Sequence, residues 1–236
     1  MTRSEYFERW AELHGGLDPR TSIPVQGWLT VTYVLAKPLV LLRMSPNAVT
    51  MLGMLVALSV PYWVVTDRLF VAGVVALVAG LIDNLDGAVA IMTGRSSDFG
   101  YVLDSVADRV GDAALLVGLG LAASTPWPAV AAACLAFLQE YTRARAAGVG
   151  FTEIGVISLS ERPTRVLIVG MFLIAAATAG VIWALIGGWV ALIVAVAGFG
   201  QVLWAVRSRL ASSKSPSSTY TAGTAPSGWV SETQRT

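Results

Sequence analysis

Charged residues are scarce in this sequence of 236 residues, of which only 13% are Asp, Glu, Lys or Arg. Soluble domains usually carry about 25%. The 16 Lys and Arg nearly balance the 15 Asp and Glu, so the chain has no excess of basic residues with which to bind nucleic acid. The single cysteine, Cys134, excludes an internal disulfide and is expected to pack within an apolar run. The single histidine, His14, excludes a metal site built from several histidines.

Hydrophobic residues, in contrast, are abundant: they make up 55% of the chain, and the mean hydropathy is +0.67. Several apolar stretches reach the roughly 20 residues that a membrane-spanning helix needs. The sequence therefore predicts an all-α integral membrane protein, a polytopic bundle of six transmembrane helices. The predicted spans lie near 48–66, 69–92, 100–123, 127–147, 163–184 and 186–206. Ile186-Gly187-Gly188 is expected to separate the last two.

The two ends of the chain differ from this apolar middle. Residues 1–16 are polar and show no signal-peptide pattern, whereas residues 26–43 are apolar but interrupted by Lys37-Pro38. We expect the latter to form an amphipathic helix at the membrane interface. Ser, Thr, Pro and Gly dominate from Ala211 onward and predict a disordered tail. The expected organisation is an N-terminal segment (1–44), a membrane domain (45–210) and a tail (211–236).

Arginine and lysine are concentrated in alternate connections between the predicted spans. They precede the first span, lie between the second and third and between the fourth and fifth, and follow the sixth, while the other connections are almost free of them. The positive-inside rule then places these connections and both termini in the cytoplasm. We expect a multi-pass protein of the plasma membrane.

A short window around the second and third spans contains four acidic residues. Asp83 and Asp86 are three residues apart and Asp104 and Asp108 are four apart, so each pair shares one face of a helix. The short connection at Thr93-Gly94-Arg95 allows the two faces to converge. Carboxylates at membrane depth need a counter-charge, and oxygen ligands without His or Cys suit Mg²⁺, Mn²⁺ or Ca²⁺. Spacing alone leaves three interpretations open: a metal–phosphate site, a cation or proton transport site, and structural pairing with arginines.

The spacing of these residues resembles the signature of the CDP-alcohol phosphotransferase family. The matching pattern is Asp83-x-x-Asp86-Gly87-x-x-Ala90, then Gly100-x-x-x-Asp104-x-x-x-Asp108. The resemblance extends from the Ser45-Pro46-Asn47 segment to about Arg165. It implies a membrane enzyme of phospholipid synthesis with six transmembrane helices, acting as a homodimer. Such an enzyme transfers a phosphatidyl group from a CDP-linked lipid to a hydroxyl acceptor and releases CMP.

The resemblance also implies roles for individual residues. Asp83, Asp86 and Asp104 resemble the ligands of two Mg²⁺ ions, with Mn²⁺ as the alternative metal. Asp108 resembles the general base and lies close enough to be a further ligand. The residues that resemble the CDP-alcohol ligands are Asn47, Ala48, Val49, Thr50, Gly87 and Ser97.

One position departs from the family pattern: Ile91 follows Ala90 where an arginine is usual. Arg95, one turn further along, is either a substitute ligand for the diphosphate or a topology-determining loop arginine.

The segments around Arg143 and Arg162 resemble those of actinobacterial phosphatidylinositol phosphate synthases. This resemblance implies that the two arginines bind the phosphate of an inositol phosphate acceptor. Glycerol phosphate or another polyol remains the alternative acceptor, and an ion- or proton-coupled transporter the alternative class.

Overall fold

The computed structural model describes residues 1–150 and 158–213, and all regular elements in these ranges are helical. The predicted tail from Ala211 lies almost entirely outside the described residues. A 3₁₀ turn at Pro19–Thr21 joins the first two α-helices. The α-helices are α1 (Arg3–Leu13), α2 (Ile23–Leu41), α3 (Pro46–Leu58), α4 (Val60–Val65), α5 (Leu69–Thr93), α6 (Asp98–Ala122), α7 (Trp127–Ala147), α8 (Arg162–Ala179) and α9 (Ile182–Ser213).

Four segments of the described chain are long and apolar enough to cross a membrane. They are Pro46–Val65, Leu69–Thr93, Arg162–Ala179 and Ile182–Arg209. The predicted spans at 100–123 and 127–147 correspond to α6 and α7, which have sufficient length. Their apolar character is diluted by charged side chains such as Asp104, Asp108 and Arg143, the same residues that build the candidate site.

Helix boundaries correct the sequence prediction at two places. The predicted first span is divided at Ser59 into α3 and α4. The last two spans separate at Gly180, with φ of +105°, and not at Ile186-Gly187-Gly188. Gly187 lies inside α9, where an added Cβ would approach Cβ of Phe172 to 2.5 Å. This glycine therefore serves close helix packing and not helix termination.

Small residues form most of the central core, in which α5 packs against α3 and α8, and α7 packs against α9. Ala57, Ala72, Ala76 and Ala184 are fully buried there. Short side chains let helix backbones approach closely, as is typical of membrane helix packing. Cys134, expected to pack internally, is instead exposed on α7.

A second core joins the N-terminal helices to the bundle. Tyr6 and Phe7 of α1 and Tyr33 of α2 are buried beside Val49 of α3 and Val89 of α5. The helix predicted at 26–43 is observed at Ile23–Leu41, with Pro38 inside its last turn. Helix α1 was not anticipated from the polar segment 1–16. A capping box, in which Thr2 and Glu5 bond each other's backbone, begins it.

Candidate active site

Capping residues at the C-terminal end of α5 and the N-terminal end of α6 shape the hairpin that carries the four aspartates. Gly94, with φ of +66°, ends α5 in the left-handed conformation that glycine adopts without strain. The Ser97 hydroxyl then accepts a hydrogen bond from the Gly100 amide at 3.0 Å and begins α6. The two helices consequently run antiparallel with their carboxylates facing each other.

Three of the predicted ligands converge. Carboxylate oxygens of Asp83, Asp104 and Asp108 all lie within 4.8 Å of one another, a separation that a shared cation can bridge. The predicted pairing of faces on α5 and α6 thus agrees with the observed geometry.

Asp86 lies beside this cluster and is buried. Its Oδ2 accepts a hydrogen bond from the Thr50 hydroxyl at 2.6 Å, and its Oδ1 lies 2.5 Å from the Gly87 amide. The first bond links α3 to α5 across 36 residues of sequence. Two donors fix the orientation of this carboxylate before any ligand binds.

A cavity of about 230 Å³, here called the hairpin cavity, opens next to Asp86 and Asp104. Most of the residues that resemble CDP-alcohol ligands line it. These are Asn47, Thr50, Gly87 and Ser97, and Arg95, the candidate substitute for the usual family arginine, lines the cavity as well. The other two face elsewhere, since Ala48 is exposed and Val49 is buried in the N-terminal core.

A larger cavity of about 660 Å³, here called the aliphatic cavity, lies on the other side of the carboxylates. Asp83, Asp108 and Arg162 form its polar end. The remaining wall is mainly apolar and includes Trp28, Leu77, Leu81, Val166 and Leu167. Two of the four aspartates, Asp86 and Asp104, therefore line the smaller cavity, and the other two, Asp83 and Asp108, line the larger one.

The two arginines predicted to bind the acceptor occupy different surroundings. Arg162 reaches the acidic cluster, where its Nη1 lies 2.5 Å from Oδ1 of Asp83 and forms a shorter ion pair with Asp108. Arg143 instead pairs with Glu140 at 2.9 Å and with Glu161 at 2.5 Å. Its positive charge is thus already matched by two carboxylates.

A buried polar layer next to the cluster was missed by the sequence analysis. Arg165 lies 2.7 Å from Asp112, and both side chains are at most 5% exposed. Arg109 pairs with Asp108 at 3.4 Å. The sequence could have indicated Asp112, because it follows Asp108 by four residues, as Asp108 follows Asp104, and therefore lies on the same face of α6. Nothing in the sequence pattern indicated which arginine pairs with Asp112.

The donor set fits a divalent hard cation. Among the His, Cys, Asp and Glu side chains of residues 1–150 and 158–213, the group that converges here consists of carboxylates, and such oxygen ligands suit Mg²⁺ and Mn²⁺. The contact of Arg162 with two of them shows that this position attracts positive charge.

Long apolar helices, a convergent set of carboxylates and two cavities lined by aspartates together indicate a class of protein: a membrane enzyme that acts on a phosphorylated lipid with the help of metal ions. Comparison with known proteins identifies the family. The family model for CDP-alcohol phosphatidyltransferases matches residues 43–199, and the chain belongs to this family. It is therefore a metal-dependent phosphatidyltransferase of phospholipid synthesis.

Two curated relatives are similar over most of their length. The archaetidylinositol phosphate synthase of Pyrococcus horikoshii is 34% identical over 141 residues, covering 58% of this chain and 75% of the relative. The phosphatidylinositol phosphate synthase of Mycobacteroides abscessus is 32% identical over 187 residues, covering 75% and 84%.

Solved structures of the phosphatidylinositol phosphate synthase of Mycobacterium tuberculosis share the fold. The complex with manganese and citrate aligns with a TM-score of 0.66 at 27% identity, over 75% of this chain and 88% of that one. The structure with CDP-DAG bound aligns with a TM-score of 0.65 at 26% identity, over 75% and 94%.

Proposed function

We propose that the protein transfers the phosphatidyl group of CDP-diacylglycerol to inositol phosphate and releases CMP. The observation that carries this proposal is the position of the four aspartates between the hairpin cavity and the aliphatic cavity. The names of the relatives from Pyrococcus and Mycobacteroides, and the CDP-DAG bound to the Mycobacterium tuberculosis enzyme, support both the donor and the acceptor.

The hairpin cavity is proposed to bind the nucleotide half of the donor. Asn47, Thr50 and Ser97 offer hydrogen-bonding groups to a cytidine and its ribose. Gly87 has open space where a Cβ would be, so phosphate oxygens can approach its backbone. Arg95 supplies the positive charge of this cavity.

Asp83, Asp86, Asp104 and Asp108 are proposed to hold two Mg²⁺ or Mn²⁺ ions. When bound, divalent ions offset the negative charge of the diphosphate and make CMP a better leaving group.

Asp108 is proposed as the general base. The acceptor hydroxyl oxygen forms a bond to the phosphorus that carries the lipid alcohol, and the bond from that phosphorus to CMP breaks. Asp108 takes the hydroxyl proton, which its position at the polar end of the aliphatic cavity permits.

The aliphatic cavity suits the diacylglycerol half of the donor. Leu77, Leu81, Val166 and Leu167 give it an apolar wall between α5 and α8. Burying acyl chains there leaves the phosphorus next to Asp83 and Asp108.

The acceptor phosphate is proposed to bind near Arg162, and the ion pair of Arg143 with Glu161 holds Arg143 next to the same helix end. Because Glu140 and Glu161 already neutralise Arg143, Arg162 is the principal ligand in this proposal. A glycerol phosphate or another polyol is the second candidate acceptor.

The membrane arrangement is also a proposal. We infer six spans, formed by α3 with α4 and by α5 to α9, with α2 at the interface and both termini in the cytoplasm of a plasma-membrane protein. The homodimer and the domain limits at 44 and 210 stay predictions from the sequence.

The decisive experiment is CMP release by purified protein with CDP-diacylglycerol, Mg²⁺ and one acceptor at a time. We expect release with inositol phosphate and none when EDTA replaces Mg²⁺. Release with glycerol phosphate but not with inositol phosphate would reassign the acceptor. If neither inositol phosphate nor glycerol phosphate gives metal-dependent release of CMP, the proposed reaction is contradicted.

A further inference from the structure

Arg162 places a fixed positive charge inside the acidic cluster. Its guanidinium contacts Asp83 of α5 and Asp108 of α6, two residues of the convergent carboxylate set. The arginine side chain is only 10% exposed and the two carboxylates 20% and 18%, so water screens this contact weakly. Close carboxylates in such surroundings repel strongly unless a cation lies between them.

The segment that precedes Arg162 is held by side chains from three helices, α7, α8 and α9. The Gln139 amide of α7 donates to the Ser158 hydroxyl at 3.0 Å and to the Ser160 carbonyl at 3.3 Å. Arg165 of α8 also donates to the Ser160 carbonyl while pairing with Asp112 of α6. The Leu159 amide donates to Oε1 of Gln201 in α9 at 2.9 Å.

Close packing reinforces this attachment. Gly198 of α9 lies so near Ser160 that an added Cβ would approach the serine Cβ to 2.5 Å. Gln139 and Ser160 are completely buried. The backbone that carries Arg162 is thus built into the core, and the guanidinium is directed at Asp83 and Asp108 by a rigid support.

We propose that Arg162 is the resident counter-ion of the aspartate cluster and that it competes with the divalent cation for Asp83 and Asp108. This inference rests on the proposed ligand set. Without metal, the guanidinium offsets one of the two negative charges, reduces the repulsion between the carboxylates and so stabilises the fold. When metal binds, Arg162 yields its contacts and turns toward the aliphatic cavity, which it already lines. The affinity for metal is therefore lower than the four carboxylates alone would give.

The test is Mn²⁺ binding to purified protein without substrates, measured by the electron paramagnetic resonance signal of free Mn²⁺. Arg162→Gln removes the competing charge at a few ångströms, so we expect Mn²⁺ to bind about tenfold more tightly or better. Arg143→Gln is the matched control: it removes the same charge from a half-buried arginine that pairs with Glu140 and Glu161, and the Mn²⁺ affinity should stay within about twofold.

Thermal unfolding provides a second readout. In EDTA, Arg162→Gln should unfold at a lower temperature than wild type because two buried carboxylates lose their partner. Mn²⁺ should raise its melting temperature more than that of wild type, since tighter binding to the folded state stabilises it more. If Arg162→Gln does not fold, Arg162→Met serves instead. Methionine removes the same charge and keeps an unbranched side chain in the core, so Mn²⁺ should again bind about tenfold more tightly than to wild type.

Asp104→Asn separates the failure of this inference from the failure of the ligand assignment. Unchanged or weaker Mn²⁺ binding by the Arg162 variants, with binding abolished by Asp104→Asn, overturns the competition and leaves the ligand set in place. Full Mn²⁺ affinity in Asp104→Asn overturns the ligand set itself.

Discussion

Asp108 differs from the other three aspartates in its arginine contacts. It pairs with both Arg109 and Arg162, whereas Asp83, which also lines the aliphatic cavity, pairs with Arg162, and Asp86 and Asp104 line the hairpin cavity. In the proposed reaction Asp108 lies on the side of the acceptor, away from the nucleotide, where a general base is needed. These different surroundings predict that Asp108 has a different role from the other aspartates, which a substitution can test.

We expect Asp108→Asn to retain Mg²⁺-dependent binding of the CDP-lipid while transfer falls by about 10²–10⁴-fold, the usual cost of losing a general base. Donor binding and CMP release are measured in parallel on the same preparation. Asp98→Asn, an exposed aspartate at the beginning of α6, is the control and should behave as wild type. Near-normal turnover by Asp108→Asn would remove Asp108 from the base role.

Ile91 and Arg95 lie on different sides of the C-terminal end of α5. Ile91 packs toward the N-terminal core, and its carbonyl accepts a hydrogen bond from Arg9 of α1 at 3.4 Å. Arg95 lines the hairpin cavity. The cavity thus keeps one arginine although the usual family position carries an apolar residue.

Replacing Arg95 by alanine should raise KM for the CDP-lipid by about tenfold with a smaller change in kcat, because a charge-assisted bond to the diphosphate is lost. Steady-state kinetics at saturating acceptor measure this, with Arg3→Ala on α1 as the control. An unchanged KM would leave Arg95 as a loop arginine that fixes topology.

At the scale of elements, the contact between α5 and α8 depends on glycine. A Cβ added at Gly73 would lie 2.7 Å from the Gly170 carbonyl oxygen and 2.6 Å from Cγ1 of Ile174. Since one of these atoms is backbone, the helices have to separate to admit it. The same pair of helices carries the apolar wall of the aliphatic cavity.

Gly73→Ala should therefore destabilise the protein by about 1–3 kcal/mol, the typical cost of overpacking. Gly27→Ala is the matched control because no atom lies within 4 Å of its added Cβ, and removing a helical glycine there should be neutral or slightly stabilising. Thermal unfolding in detergent compares the two. Equal melting temperatures would contradict the importance of this contact.

The junction of α7 and α8 contains the titratable pair Glu161 and Arg143. Burial works to raise the pKa of the Glu161 carboxyl, but hydrogen bonds from Arg143 and the Ser158 amide prevail and hold this pKa below its ordinary value of 4.5. A lowered pKa contributes stability that is complete above the ordinary value and is lost as pH falls through the lowered one.

Glu161→Gln should accordingly melt below wild type by an amount that is constant between about pH 6 and pH 8. The difference should shrink once the pH falls below about 4.5, where wild-type Glu161 takes up its proton. Melting curves of both proteins across this range measure it. A difference that persists unchanged at pH 3 would mean that packing and not charge is lost.

Sequence patterns predicted helices better than their ends. Apolar runs located the long helices of the bundle. They did not show whether Gly180 or Gly187 ends a helix, because that depends on the packing of Phe172 against Gly187. Helix α1 escaped prediction because it buries only Tyr6 and Phe7, and the residues that cover them are far away in sequence.

The site followed the same division. The spacing of the aspartates predicted the convergent cluster. Helix periodicity puts each pair of aspartates on one face of its helix, and the short connection between α5 and α6 brings the two faces together. The partners of Arg143, Arg162 and Arg165 depend on how α6, α7 and α8 are rotated against each other, which local spacing does not determine.

At the scale of the whole molecule, the proposed topology predicts which connections face the cytoplasm. In a Cys134→Ala background, Ser124→Cys between α6 and α7 should react with a membrane-impermeant maleimide on intact cells. Ser96→Cys between α5 and α6 should react only after permeabilisation, because the Arg-rich side is cytoplasmic. The reverse labelling pattern would show that the protein has the opposite orientation in the membrane.

The bond between the Leu159 amide and Gln201 also bears on how the enzyme is made. A chain emerging from the ribosome inserts the aspartate hairpin long before the last helix is synthesised, and 42 residues separate these two partners. The support behind Arg162 is complete only when α9 has docked. We therefore expect the acidic hairpin to form early and the support of Arg162, the proposed acceptor ligand, to form last, so that activity begins only at the end of membrane insertion.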